Sequence, residues 1–216
     1  MYIIEGNIGA GKSTLTQQLA EILNAKAFYE PVEENPYLEK YYREPKKYAL
    51  PMQFFLMSHR YEMHRKGIEH IWRTGQSCIF DRSIYGDFIF AKKNWIDGNM
   101  SELDYENYNK MRKVMFKTLM VPHITIYLNN HPQTSLKNIN HRSRDCESKI
   151  PLDYLIGLHN LYKELMLEMK ELGSQVVDID WNEFKSITHV IEQISKSTDE
   201  NILGTHSTYP TAPILS

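Results

Sequence analysis

Residues 6–13 read Gly6-Asn7-Ile8-Gly9-Ala10-Gly11-Lys12-Ser13, the pattern G-x-x-x-x-G-K-[ST]. Its flanks constrain the fold further. The strand-like run Tyr2 to Glu5 precedes it, and Lys12 to about Asn24 follows as a helix with Leu15, Leu19, Ile22 and Leu23 on one side. Glycines at these positions let backbone N–H groups converge on phosphate oxygens, and the helix N-terminus adds a partial positive charge. The segment Gly6, Asn7, Ile8, Gly9, Ala10, Gly11, Lys12, Ser13 and Thr14 is therefore the expected cradle for a nucleoside triphosphate, ATP, with Mg²⁺. Lys12 would reach the transferred phosphoryl group, and the Ser13 hydroxyl would hold the metal. The loop leaves the acceptor open.

Strand candidates recur at Ala27 to Glu30, Ser77 to Phe80, His123 to Leu128 and Gln175 to Ile179. Long helical stretches lie between them. One runs from about Pro45 to Trp72 and is ended by Thr74-Gly75; another, opened by a Ser101/Asp104 capping box, runs to about Met120. Pro132 and Pro151 suit first-turn positions of two more. This alternation predicts an α/β protein in three layers, a five-stranded parallel sheet flanked by helices; with the phosphate loop after its first strand it resembles the P-loop kinase fold. One domain is expected over about residues 1–195, with a lid at about 137–149 and a loose tail over 196–216, where Ser, Thr, Pro and Gly dominate.

Composition narrows the function classes. With 25 Lys and Arg against 27 Asp and Glu, the formal charge is −2, without the broad basic footprint that a nucleic-acid polymer requires. No apolar run approaches the roughly 18 residues of a membrane helix. Met1 runs directly into a strand rather than a secretory leader, and Cys78 and Cys146 fit no zinc or redox spacing, so a cytoplasmic protein is expected. His59 and His64, five apart, do not share a helix face, and His70 completes no ligand set.

In open α/β sheets ligands sit beyond the carboxyl ends of strands. Glu30 falls there, ending the second strand, and Asp81, ending the third, is followed by Arg82. Phosphoryl transfer to a hydroxyl needs a group to accept or orient the proton and a cation to hold the oxygens, which these residues could supply. Taken singly, an acidic residue after a strand is more often a helix cap or a surface charge, and the coincidence with the phosphate loop reverses that. Arg142 and Arg144, in a polar stretch between the Pro132 and Pro151 helices, suit a lid bearing guanidinium groups or a solvated charge run.

Four stretches in order, Ile4-Glu5-Gly6-Asn7-Ile8-Gly9, Glu30-Pro31-Val32, Asp81-Arg82-Ser83 with Tyr85 and Asp87, and Ile150-Pro151-Leu152 with Tyr154, resemble the deoxynucleoside kinases. The likeness is to the deoxycytidine, deoxyguanosine and deoxyadenosine kinases, nearest the short bacterial or viral members, and it spans about residues 2 to 185. It implies Glu30 as general base at the sugar 5′-hydroxyl, Arg82 orienting that hydroxyl or the moving phosphate, and Asp81 in the Mg²⁺ shell. It further implies Tyr42 and Glu147 on the 3′-hydroxyl, Gln53 on the base edge beside Arg60 and Asp87, and Phe90 stacked on the ring. Arg142 and Arg144 match lid arginines, residues around Asp180 to Phe184 border the adenine, and a homodimer is implied. The chain departs from the family pattern at Asn138, where a further lid arginine often stands, and at Met52, often aromatic.

The pocket chemistry yields its own expectation. A Gln amide offers one donor and one acceptor, and by rotating it serves any base. Ionised Asp87 is acceptor-only, which suits an exocyclic amino group and opposes the carbonyl of thymine. Deoxyadenosine, deoxyguanosine or deoxycytidine are therefore expected ahead of thymidine, unless Arg60 and Asp87 form a structural ion pair that never touches the base. Other small P-loop kinases, such as a nucleoside monophosphate kinase, and a nucleotide-binding regulatory protein without transfer activity are the competing classes.

Overall fold

The computed structural model describes residues 1–30, 35–142 and 150–204, with side chains up to residue 198. Arg144, Glu147 and Cys146, most of the expected lid beyond Arg142, and residues 205–216 lie outside the described residues. In chain order the elements are β1 (Tyr2–Gly6), α1 (Lys12–Ile22), β2 (Lys26–Phe28), α2 (Leu38–Arg43), α3 (Pro45–Thr74), β3 (Cys78–Asp81) and α4 (Asp87–Ile96). They continue as α5 (Glu102–Phe116), β4 (Ile124–Asn129), α6 (Pro132–Arg142), α7 (Leu152–Glu171), β5 (Gln175–Asp180) and α8 (Ile187–Gly204).

The strands form one sheet in the order β2-β3-β1-β4-β5, with every pairing parallel. Successive side chains of a strand point to opposite faces, so a strand covered on both sides must be apolar at adjacent positions. Ile3 and Ile4, Ile79 and Phe80, and Ile126 and Tyr127 are such pairs, all buried. Ile3, Phe80 and Tyr127 join a core with Met57 of α3, Ile89 of α4, Tyr108 of α5 and Leu158 of α7. Ile4, Ile79 and Ile126 join a second core with Leu15 and Leu19 of α1 and Val190 of α8. These are the three layers expected from the alternation of elements.

Several boundaries differ from the sequence expectation. β2 stops at Phe28, so Glu30 follows the strand by two residues rather than ending it. β2 is an edge strand paired only to β3, and its three pairs close at Phe28 with Phe80. α5 stops at Phe116, short of Met120, whose carbonyl instead takes a hydrogen bond from the Tyr85 hydroxyl at 3.3 Å. The helix expected to fray near Ser195 continues as α8 to Gly204. Its apolar positions Ile187, Val190, Ile191 and Ile194 recur at helical spacing and pack on the second core, which overrides the polar composition beyond them. Residues 137–142 of the expected lid are the last turns of α6, so Lys137, Asn138 and Arg142 stand on a helix. The capping box is present: the Ser101 hydroxyl accepts from the Asp104 amide at 3.1 Å, and the Asp104 carboxylate accepts from the Ser101 amide at 3.3 Å. α3 ends as expected, with Gly75 at φ 71° closing its last turn.

Candidate active site

β1 turns into α1 through the glycine loop, and its shape depends on missing side chains. A Cβ on Gly9 would stand 2.8 Å from the Ser135 carbonyl and 2.9 Å from Ile139 of α6. One on Gly11 would stand 2.7 Å from the Phe184 ring, and both residues have positive φ, 77° and 80°. The Asn7 amide ties the loop to α7 by donating to the Leu155 carbonyl at 2.9 Å, while its oxygen accepts from the Ile8 amide at 2.9 Å. Asn138 donates to the Gly9 carbonyl at 3.0 Å, so this departure from the family pattern fastens α6 to the loop backbone. The Lys12 ammonium is buried and donates to the Gly6 and Asn7 carbonyls at 3.1 and 2.8 Å. Burial, and then the positive charge of Arg82, pull it down to about 7 against the opposing pull of Asp81 and Glu5.

The Ser13 hydroxyl donates to Asp81, the last residue of β3. A hydroxyl and a carboxylate side by side at the start of α1 are hard oxygen donors, which fit Mg²⁺ delivered with phosphate oxygens. Among the described residues no group of three His, Cys, Asp or Glu side chains gathers for a metal.

Arg82 follows in the left-handed region, φ 67°, a conformation that costs a non-glycine residue about 1 kcal/mol or more. Its surroundings hold it there. The backbone amide donates to Ile4 at 3.1 Å, and Nη1 donates to the Tyr162 hydroxyl at 2.6 Å and the Gly6 carbonyl at 3.3 Å. Nε faces Glu30 at 3.2 Å. The other Glu30 oxygen pairs with Arg60, whose second nitrogen pairs with Asp87. Burial alone would raise the Glu30 carboxyl, but Arg60 and Arg82 together hold it below its usual range. Asp87 is shifted the other way, because its complete burial outweighs the help of Arg60, Tyr108 and Gln53. The Phe90 ring lies under both guanidinium groups, at 5.7 Å from Arg60 and 5.0 Å from Arg82.

Gln53 is fully buried on α3 and donates to the Asp87 carbonyl at 3.0 Å and carboxylate at 2.8 Å. The free rotation expected from the sequence is therefore removed, since both neighbours are acceptors and only the amide nitrogen can face them. Gln53 Oε1 has no partner among the described residues. Arg60 and Asp87 do form the ion pair weighed as an alternative, and it sits in the same cluster as Glu30. Met52 is buried with Tyr41, Ala49 and Met100. Tyr42 lies against Tyr41 at 5.4 Å and against the cluster of Ile139, Ile150 and Leu155, beside Ile8 of the loop. Arg142 is the exposed end of α6. Phe184, 68% exposed, stands over Gly11 and edge-on to Trp181.

Three site residues escape the sequence reading. Glu5 is buried next to the loop and accepts from the Ser83 hydroxyl at 2.6 Å; burial, opposed by Arg82, raises its carboxyl. A charge inside the apolar run of β1 was its signal. Tyr108 and Tyr162 carry none, because a tyrosine at an apolar helix position reads as core until its hydroxyl partner is seen.

A phosphate loop after the central strand, with a carboxylate and guanidinium groups beyond the neighbouring strand ends, defines a P-loop phosphotransferase. The deoxynucleoside kinase family profile matches residues 2–203, and the chain belongs to that family, whose members move a phosphoryl group onto a hydroxyl. The match extends through α8, past residue 185. A deoxyguanosine kinase of Dictyostelium discoideum is 40% identical over 195 residues, covering 90% of this chain and 68% of its own length. A deoxyadenosine/deoxycytidine kinase of Bacillus subtilis is 32% identical, covering 92% and 93%. The structure of a deoxyadenosine kinase from M. mycoides with bound dATP superposes with a TM-score of 0.79 at 28% identity, covering 90% of this chain and 98% of that one.

Proposed function

We propose that the protein transfers the γ-phosphoryl group of ATP to the 5′-hydroxyl of a deoxynucleoside, with deoxyadenosine, deoxyguanosine or deoxycytidine preferred to thymidine. One observation carries the acceptor assignment: Glu30 is held between Arg60 and Arg82 beyond the strand ends. A carboxylate at the acceptor end repels the phosphate of a nucleotide and accepts the proton of a hydroxyl, which argues against a monophosphate kinase. Its lowered value keeps it ionised at neutral pH. In a loose phosphoryl-transfer transition state the nucleophile needs orientation more than a strong base, so a weak carboxylate suffices.

Glu30 orients the 5′-hydroxyl and receives its proton as the bond to phosphorus forms and the bond to the leaving oxygen breaks. Arg82 steadies the oxygens between Glu30 and the loop. Lys12 and the loop amides hold the β and γ oxygens, and Arg142 and Arg144 would supply guanidinium charge to the phosphates, as the family resemblance implies. Ser13 and Asp81 would hold Mg²⁺, which when bound neutralises phosphate charge. Phe184 would border the adenine. Tyr42 and Glu147 would take the 3′-hydroxyl, as the family resemblance implies. For the base preference, the support is the orientation of Gln53, which leaves its amide oxygen, an acceptor, as its free atom, and the names of the relatives. A homodimer, as the family resemblance implies, and a cytoplasmic location complete the reading.

The test follows ADP release from ATP and Mg²⁺ with each of the four deoxynucleosides, and with adenosine and dTMP. Turnover is expected on purine deoxynucleosides or deoxycytidine, little on thymidine or adenosine, and none on dTMP. Glu30→Gln should cut it about 10²- to 10⁴-fold while ADP binding persists. Full activity of that variant, or phosphorylation of dTMP, would overturn the assignment.

A further inference from the structure

The base pocket is assembled from three helices that meet on one carboxylate. Asp87 opens α4, and its Oδ1 receives Arg60 from α3. Oδ2 receives the Gln53 amide at 2.8 Å, also from α3, and the Tyr108 hydroxyl at 2.6 Å, from α5. An ionised carboxylate accepts about four hydrogen bonds, so three protein donors leave one position, on Oδ1. Both nearby partners of the Gln53 amide nitrogen are acceptors, which turns its oxygen away from Asp87. That oxygen is a buried atom without a partner among the described residues, as is the Nε donor of Arg60. The polar groups that Gln53 and Asp87 leave open are therefore acceptors only.

We propose that Tyr108, which is itself a positioning residue rather than a contact to substrate, sets base selectivity by fixing Asp87 and, through it, the orientation of Gln53. The inference rests on the kinase reading above. Tyr108 is fully buried, and its ring packs between Tyr105 at 6.3 Å and Phe54 at 6.4 Å, so its hydroxyl has a fixed direction. Without that hydroxyl, Oδ2 keeps only Gln53 and the carboxylate can turn on its remaining anchor to Arg60; the Asp87 carbonyl at 3.0 Å is then the one fixed partner of the amide, which turns more readily. A rotated Gln53 presents N–H to a carbonyl, which is what the thymine edge requires at position 4. With the hydroxyl in place, thymine meets acceptors opposite its own carbonyl oxygens. A base with an amino group, or with adjacent N–H donors as in guanine, satisfies the orphaned Gln53 oxygen.

The experiment compares kcat and KM for deoxyadenosine, deoxyguanosine and thymidine in the wild type, Tyr108→Phe and Tyr105→Phe. Tyr108→Phe should raise the thymidine-to-deoxyadenosine ratio of kcat/KM about tenfold. The change should lie in KM, with kcat on deoxyadenosine within about twofold. Tyr105→Phe perturbs the same ring stack and should leave the ratio unchanged. An equal loss on all three nucleosides, or an unmoved ratio, overturns the proposal. If Tyr108→Phe does not accumulate as folded protein, Asp87→Asn puts a donor where only acceptors stand. The ratio must then rise, and an unmoved ratio again overturns it. A wild-type protein inactive on every deoxynucleoside would instead sink the underlying kinase reading.

Discussion

Replacing Tyr162 by Phe isolates the grip on Arg82. The hydroxyl accepts from Arg82 Nη1 at 2.6 Å, whereas the other acceptor on that nitrogen, the Gly6 carbonyl, is at 3.3 Å. Phenylalanine keeps the ring, which stacks on Tyr127 at 5.6 Å and 25°, so packing is retained. Burial, opposed by Arg82, pushes the Tyr162 phenol up to about 12, so it stays neutral and accepting at any physiological pH. A hydrogen bond to a charged group is worth about 1.5–3 kcal/mol. Arg82 is held both in the resting protein and during transfer, so the loss divides between stability and rate. An even division lowers kcat about 4- to 12-fold, and lowers Tm by about 2–6 °C for a chain of this size. The nucleoside KM should move less than about twofold, since the hydroxyl touches no substrate. Steady-state ADP release and thermal unfolding measured on the same preparation give all three quantities. An unchanged kcat with an unchanged Tm would refute the reasoning, and a KM effect at constant kcat would make Arg82 a binding residue.

Lys12, at about 7 without nucleotide, must be an ammonium to face phosphates. Its value therefore rises on binding, so affinity for Mg²⁺-ATP is unpenalised below pH 7 and falls above it, by up to about tenfold per pH unit. Calorimetry at pH 8 in two buffers of different ionisation enthalpy should show proton uptake that Lys12→Arg abolishes; equal uptake in both proteins contradicts the assignment. Gly67→Ala tests the core behind β3: its Cβ would stand 2.2 Å from Phe80 Cζ, and Phe80 is stacked between Phe28 at 5.0 Å and His64 at 5.5 Å. A helix gain of about 1 kcal/mol meets an overpacking cost of about 1–3 kcal/mol, so Tm should fall by a few degrees. A higher Tm would mean that Phe80 has room to move.

The parts of the site that the sequence displays are those carried by contiguous residues. The glycine loop is eight neighbours long, and Asp81-Arg82 sits at the end of an apolar run, so chain order alone sets their geometry. Glu30 was legible as a carboxylate near a strand end, but its two-residue separation from β2 depends on where an edge strand stops pairing. The family resemblance singled out Gln53, yet its orientation depends on Asp87, 34 residues away. Tyr108 and Tyr162 join Asp87 and Arg82 across 21 and 80 residues. No local pattern encodes such a contact, because helical spacing specifies the face on which a ring lies and not the atom that its hydroxyl meets. The length of α8 failed for a related reason: its polar final turns look like a tail until the sheet face beneath the preceding residues is known.

Arg60 joins two tasks in one side chain. One end of its guanidinium holds Asp87 and the other holds Glu30, which the proposed function assigns to the base and to the reacting hydroxyl. Any lineage that changed base preference by replacing this arginine would release Glu30 from half of its restraint and leave Asp87 a buried, unpaired charge. Such a change is viable only if several positions change together. On the proposed roles, substitutions at Tyr108 would alter the pocket without touching Glu30, so a path toward new substrates through α5 would be open one step at a time, whereas the path through Arg60 would cross an inactive intermediate.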